Sequence, residues 1–151
     1  MSSNIYPGTV DDLSRLYRET VLRHAQDPVG FCKDIRVTHH CEQFNPLCGD
    51  RILLMLEIDG QEIKDAAFEG DSCAICKASA SMLCESAPGQ AVESIRKLHQ
   101  WLEEALHGNE GPASHESLRP LLGVHRYPSR IRCALLPWDA LAGAVDPGRP
   151  G

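Results

Sequence analysis

No apolar run in the 151 residues approaches the roughly 20 needed to cross a bilayer, so the chain is not expected to span a membrane. Its first residues, Met1-Ser-Ser-Asn-Ile-Tyr-Pro7, lack a charged stretch followed by an apolar one, which argues against a secretory leader and predicts a cytoplasmic protein. Positive charge is scarce too. Fifteen Lys and Arg stand against 21 Asp and Glu, a net charge of -6, whereas a nucleic-acid binder needs a basic surplus to meet phosphates. A basic protein partner is compatible with that balance. There is no phosphate-binding glycine loop, no HExxH pair and no nucleophile elbow. Asp11-Asp12 and Glu103-Glu104 read as solvated or helix-end charges and build no acid-base pair. Internal repeats and low-complexity tracts are absent.

What is present suits an ordinary globular chain. The composition is 42% hydrophobic and 24% charged. A chain of this length buries roughly 70% of its unfolded surface and needs no disulfides to fold. One domain is expected over residues 12–146, with residues 1–11 and 147–151 as loose ends. From Asp12, the pattern Leu13, Leu16, Tyr17, Val21 is helical, and Asp27-Pro28-Val29-Gly30 stops it. Residues 34–43 read as a strand. Asp59-Gly60 between two extended runs, 51–58 and 61–68, predicts a type I′ hairpin.

Helices follow. One runs over 73–86 with Ser72 as its N-cap, closed by Pro88-Gly89. A second, near 90–107, gathers Val92, Ile95, Leu98, Leu102, Ala105 and Leu106 on one face, with Gly108 just past its end. His99 and His107 fall on its polar side and are read as solvated. A short helical piece is expected around Leu118, Leu121 and Leu122. The last helix carries Ala134, Trp138, Leu141 and Val145, and Pro137 is expected in its first turn. The fold class is α+β, a three-stranded antiparallel sheet covered by helices.

Seven cysteines in a reducing compartment point to metal ligands, reactive thiols or core residues rather than disulfides. Three stand beside turn or capping chemistry. Cys48 precedes Gly49-Asp50 where a loop enters the hairpin, and Gly49 lets the backbone aim Cys48 and Asp50 at one point. Cys73 lies at a helix start and Cys133 near another, beside Arg130 and Arg132, settings that favour thiolate. Brought together, Cys48, Asp50, Cys73 and Cys133 give three thiolates and a carboxylate, a set suited to zinc or to one face of an iron-sulfur cluster. Cys84 reads as core, and Cys41 as a packing or surface residue, since on a strand at most His39 and Cys41 of the His-His-Cys run converge. Cys73-Ala-Ile-Cys76 is a lone CxxC. A thioredoxin reading would want a parallel βαβ unit, and this chain offers an antiparallel hairpin.

Asn45-Pro46-x-Cys48-Gly49-Asp50-Arg51, Phe68-Glu69-Gly70-x-x-Cys73 followed by Ala78-Ser79-Ala80-Ser81-Met82, and Arg130-Ile131-x-Cys133-Ala134 together resemble the IscU/SufU family of iron-sulfur cluster assembly proteins, from about Leu16 to Trp138. The SufU branch is favoured. Residues 109–130 match the insertion of SufU-type proteins, Arg132 stands where IscU-type proteins have histidine, and the Leu-Pro-Pro-Val-Lys chaperone segment is missing. The resemblance implies a zinc site of Cys48, Asp50, Cys73 and Cys133 and a SufS-type cysteine desulfurase as partner. Cys48 would accept persulfide sulfur once a desulfurase histidine takes its place on zinc, and the sulfur would pass to a cluster scaffold or to apo iron-sulfur proteins. The alternative is a scaffold that assembles and hands on a transient [2Fe-2S] cluster. Cys76 departs from the family pattern, where a small non-thiol residue is usual.

Overall fold

The structure is a computed structural model that describes residues 10–109, 111 and 115–146, with side chains from residue 15. Of the expected loose ends at 1–11 and 147–151, residues 1–9 and 147–151 lie outside the described residues, and residues 10–11 belong to the first helix. Helix α1 spans Val10–Gln26, starting two residues ahead of Asp12. Strands β1 (His39–Asn45), β2 (Asp50–Asp59) and β3 (Glu62–Glu69) form an antiparallel sheet in the order β1-β2-β3. Helix α2 (Ala74–Ser86), α3 (Val92–Leu106), a 3-10 helix (Arg119–Arg126) and α4 (Pro128–Val145) follow. No helix among the described residues is long and apolar enough to cross a membrane.

β2 is the central strand, and its alternation decides where the core lies. Ile52, Leu54 and Leu56 are fully buried on one face, over which α4 packs. Each such side chain contributes about 1.5–3 kcal/mol of burial. Met82 and Leu83 of α2, Leu102 and Leu106 of α3, and Trp138 and Leu141 of α4 complete the same cluster. α1 docks on α2 through a polar contact at its end. Ser81 Oγ lies 2.7 Å from His24 Nδ1 and accepts the Val29 N–H at 2.8 Å.

Four local expectations shift. β1 starts at His39 rather than residue 34, because the Thr38 hydroxyl takes the Ile58 amide at 2.8 Å and ends the backbone ladder there. The hairpin loop is Gly60-Gln61, and only Gly60 has positive φ, +64°. That is the type II′ pattern, not type I′, and a register shift at Glu57/Ile58 accompanies it. His99 is largely buried, its ring packed on Trp138 and Nε2 3.4 Å from Asp139 Oδ1, while His107 is exposed.

Pro137 sits mid-helix, because α4 already begins at Pro128. Its missing amide cannot reach the Cys133 carbonyl. Beside that break Ser79 of α2 donates to the Ala134 carbonyl at 2.5 Å and accepts the Trp138 indole N–H at 3.0 Å, tying both sides of the interruption to its neighbour.

Candidate metal centre

The loop 46–49 joins β1 to β2, and Asn45 pairs with Asp50 across its base. Gly49 has φ +74°, which turns the chain between Cys48 and Asp50. Cys48 is exposed, whereas Asp50 at the first position of β2 is buried. The chain returns from β3 through Gly70, whose φ is +131° and where a Cβ would lie 2.2 Å from the Arg51 carbonyl oxygen. Only glycine lets the backbone pass this close. The Arg51 amide then bonds the Asp71 carbonyl at 2.8 Å, and the Cys73 amide donates to Asp50 Oδ1 at 2.7 Å.

Cys73, not Ser72, is the N-cap of α2, its sulfur accepting the Cys76 amide at 3.5 Å. Sequence preference favours a serine there. The Asp50 carboxylate decides otherwise, by anchoring Cys73's own backbone. Cys133 enters from α4 as that helix's sixth residue, beyond the first turn in which a helix N-terminus favours an anion.

Cys48, Asp50 and Cys133 present ligand atoms that all lie within 4.8 Å of one another. Cys73 lies beside this trio, facing Cys133 and Arg130, but is not a member of it. The Cys133 and Cys48 sulfurs are 3.6 Å apart. Two thiolates on a tetrahedral ion with bonds near 2.3 Å would be separated by about 3.8 Å. Asp50 Oδ2 is buried and has no hydrogen-bond partner among the described residues. A buried acceptor left unmatched is costly, and a cation beside the two sulfurs would satisfy it. The donors therefore fit a thiolate-preferring divalent ion.

Burial pushes the Cys133 thiol upward, and the adjoining Asp50 carboxylate and Cys48 and Cys73 sulfurs push it further. That direction opposes the thiolate expected from its place near a helix start. The exposed Arg130 guanidinium stays charged, held up by Cys73 and then by Cys133. Arg132 is exposed too, one step round the helix from that pair.

The other cysteines do different things. Cys76 is fully buried in the core, its thiol raised chiefly by burial and then by Asp50 and Cys73. Cys84 is buried and pushed up to about 12, again by burial first. Cys41 is half-buried where β1 meets Gly143 of α4. His39 shares its face of β1, yet no second metal-ligand group forms among the described residues. Asn45, in the sequence only the first residue of the Cys48 motif, is buried and closes the Cys48 loop through hydrogen bonds that no local pattern announces.

A family model described as the NifU-like N terminal domain matches residues 16–146. The chain is 36% identical over 138 residues to the zinc-dependent sulfurtransferase SufU of Bacillus subtilis (strain 168), covering 89% of this chain and 92% of that protein. It is 34% identical over 144 residues to the iron-sulfur cluster assembly scaffold protein IscU of Streptococcus pyogenes serotype M1, covering 88% and 84%. A crystal structure from Fervidobacterium islandicum AW-1, described as a candidate iron-sulfur cluster assembly scaffold protein for the SUF system, superposes with a TM-score of 0.73 at 28% identity, over 85% of this chain and 95% of that one. The chain therefore belongs to the NifU-like N-terminal domain family, the iron-sulfur cluster assembly proteins of the IscU and SufU kind.

Proposed function

We propose that this chain is a zinc-dependent sulfur acceptor of the SufU kind, taking persulfide sulfur from a SufS-type cysteine desulfurase, with Cys48, Asp50, Cys73 and Cys133 as zinc ligands. The observation that carries the reading is the Cys48, Asp50 and Cys133 cluster, in which Cys48 alone is exposed and Asp50 keeps one buried oxygen without a hydrogen-bond partner among the described residues. Zinc, when bound, would hold the sulfurs as thiolates and fix their spacing. Cys48 can be approached from solvent, so it is the acceptor. Its freed thiolate attacks the outer sulfur of the donor persulfide. A sulfur-sulfur bond to Cys48 forms, the bond within the donor persulfide breaks, and the donor cysteine leaves as thiolate. No external oxidant or reductant is consumed. Asp50 Oδ1 meanwhile keeps Cys73 in place through its amide. The sulfur then passes to a cluster scaffold or to an apo iron-sulfur protein.

A second reading rests on the same donors and on the likeness to IscU: the site would assemble and transfer a [2Fe-2S] cluster. Metal and sulfide analysis of protein purified without oxygen, from cells supplied with iron and zinc, separates the two. About one zinc per chain without labile sulfide supports the acceptor, and stoichiometric iron and sulfide supports the scaffold. Asp50→Ala should abolish sulfur acceptance in the first case and trap a cluster in the second.

A further inference from the structure

Every amide hydrogen of the Cys48 loop goes to one residue. Asn45 Oδ1 accepts the Leu47 N–H at 3.1 Å, and the Asn45 carbonyl accepts the N–H groups of Cys48 at 3.3 Å and Gly49 at 2.8 Å. Pro46 has none to give. Asn45 is itself only 1% exposed, and its Nδ2 is buried without a hydrogen-bond partner among the described residues. The amide cannot be turned round to relieve this, because Nδ2 would then meet the Leu47 N–H, donor against donor.

The residue with the unused donor stands opposite a residue of the metal centre, although Nδ2 is bonded to neither Asp50 nor the Cys48 sulfur in this structure. Asn45 and Asp50 are directly paired across β1 and β2 and both are buried, so their side chains share a face with Cβ atoms about 4.5–5.5 Å apart. Asp50 Oδ2 is an unpartnered acceptor, Asn45 Nδ2 an unpartnered donor, and the two are not bonded to each other. Cys48, whose sulfur belongs with Asp50 in the 4.8 Å cluster, lies on the loop that Asn45 closes. With Asp50 Oδ2 given to the cation, the Cys48 sulfur anion is the acceptor that remains on the loop Asn45 closes, and a donor of neutral charge can serve it without displacing that cation.

We propose that Asn45 is a positioning residue for sulfur transfer, holding the Cys48 loop and donating its Nδ2 N–H to the sulfur anion that Cys48 carries, thiolate before transfer and persulfide after it. This rests on the reading of Cys48 as the acceptor. The loop hydrogen bonds set where the sulfur stands, and the side-chain amide stabilises its charge when it leaves the metal. A residue that only shaped the loop would need the acceptor Oδ1 and not the donor.

The test is nuclear magnetic resonance of the full, nitrogen-15-labelled chain loaded with cadmium-113. One Asn45 side-chain amide proton, assigned through backbone connectivity, should show scalar coupling to the cadmium across the N–H···S bond. Uncoupled Asn45 protons in freely exchanging contact with water would overturn the proposal. Asn45→Ser keeps a side-chain acceptor for the Leu47 amide, since a serine hydroxyl forms the same turn, and removes the side-chain amide without adding a charge opposite Asp50. It should keep its melting temperature within a few degrees and take up sulfur about tenfold more slowly, a change that a purely structural role would not produce. Undiminished uptake by the folded variant also refutes the donor role, and if that variant fails to fold the cadmium spectrum of the unaltered chain decides. Coupling in a protein that accepts no sulfur would keep the hydrogen bond and defeat the acceptor reading instead.

Discussion

Gly70→Ala should be far more damaging than its single methyl group suggests. The native φ of +131° lies where side chains are rarely tolerated, a strain of about 1–3 kcal/mol. The added Cβ would lie 2.2 Å from the Arg51 carbonyl oxygen and 3.1 Å from the Ile52 Cα, both backbone atoms of the central strand. Relief requires displacement of roughly 1 Å, an overpacking cost of about 1–3 kcal/mol more. A total near 4 kcal/mol corresponds to a fall of about 8–16 °C in melting temperature for a domain of this size. The displaced run leads within three residues to the Cys73 amide, which Asp50 holds at 2.7 Å, so zinc affinity should fall as well. Gly89→Ala is the control. It has positive φ, +87°, but nothing within 4 Å of a new Cβ, and should cost only about 1 kcal/mol. Thermal unfolding of the metal-free proteins, with zinc affinity from chelator competition, compares the two. Equal losses in the pair would show that close approach to Arg51 contributes nothing.

His24 gives a pH dependence with a definite sign. Burial lowers its imidazole below the ordinary 6.5, Glu85 opposes and Arg23 adds to the lowering. The unfolded chain therefore binds the proton first. The stability from the neutral ring is fully present above pH 6.5 and declines as pH falls below that value toward the folded-state pKa. Between about pH 7.5 and 5.5 the wild type should lose more melting temperature than His24→Asn, and identical slopes would sink the assignment. Cys76→Ala should lose about 1–2 kcal/mol of stability as a core truncation and still bind one metal per chain. Loss of metal in that variant, measured by elemental analysis, would make Cys76 a ligand.

The elements legible in the sequence were those with a local cause. The apolar stripe of α3 and the Asp59-Gly60 break between two extended runs needed no tertiary knowledge, and both elements are present. The misreadings have distant causes. Ser72 has the better capping side chain, but a carboxylate 23 positions before Cys73 fixes the helix start. Pro137 looked like a first-turn residue because nothing local announces Ser79, 58 positions earlier, bonding the turn beside it. The Thr38 hydroxyl ends β1 early although Ile35 and Val37 alternate like a strand. The metal centre was legible in its residue types and not in its geometry. Turn chemistry marks Cys48 and Asp50, but only the fold shows that Cys73 caps its helix and stands beside the Cys48, Asp50 and Cys133 group.

Asp50 ties the centre to the fold because its two oxygens do separate work. Oδ1 is committed to the Cys73 amide, which leaves Oδ2 as the atom free to meet a cation. The donors come from the β1–β2 loop, the start of β2 and the second turn of α4, so an ion that binds all of them joins the sheet to the helix packed over its central strand. Such an ion binds the folded chain and stabilises it in proportion to the logarithm of its excess over the dissociation constant. A metal binds the thiolate, and burial raises the Cys133 thiol, so loading the site releases a proton from it. Loading should therefore weaken as pH falls, independently of His24, whose contact with Ser81 lies between α1 and α2 and involves none of the donors. The two pH effects are separable: chelator-treated protein retains the one and loses the other.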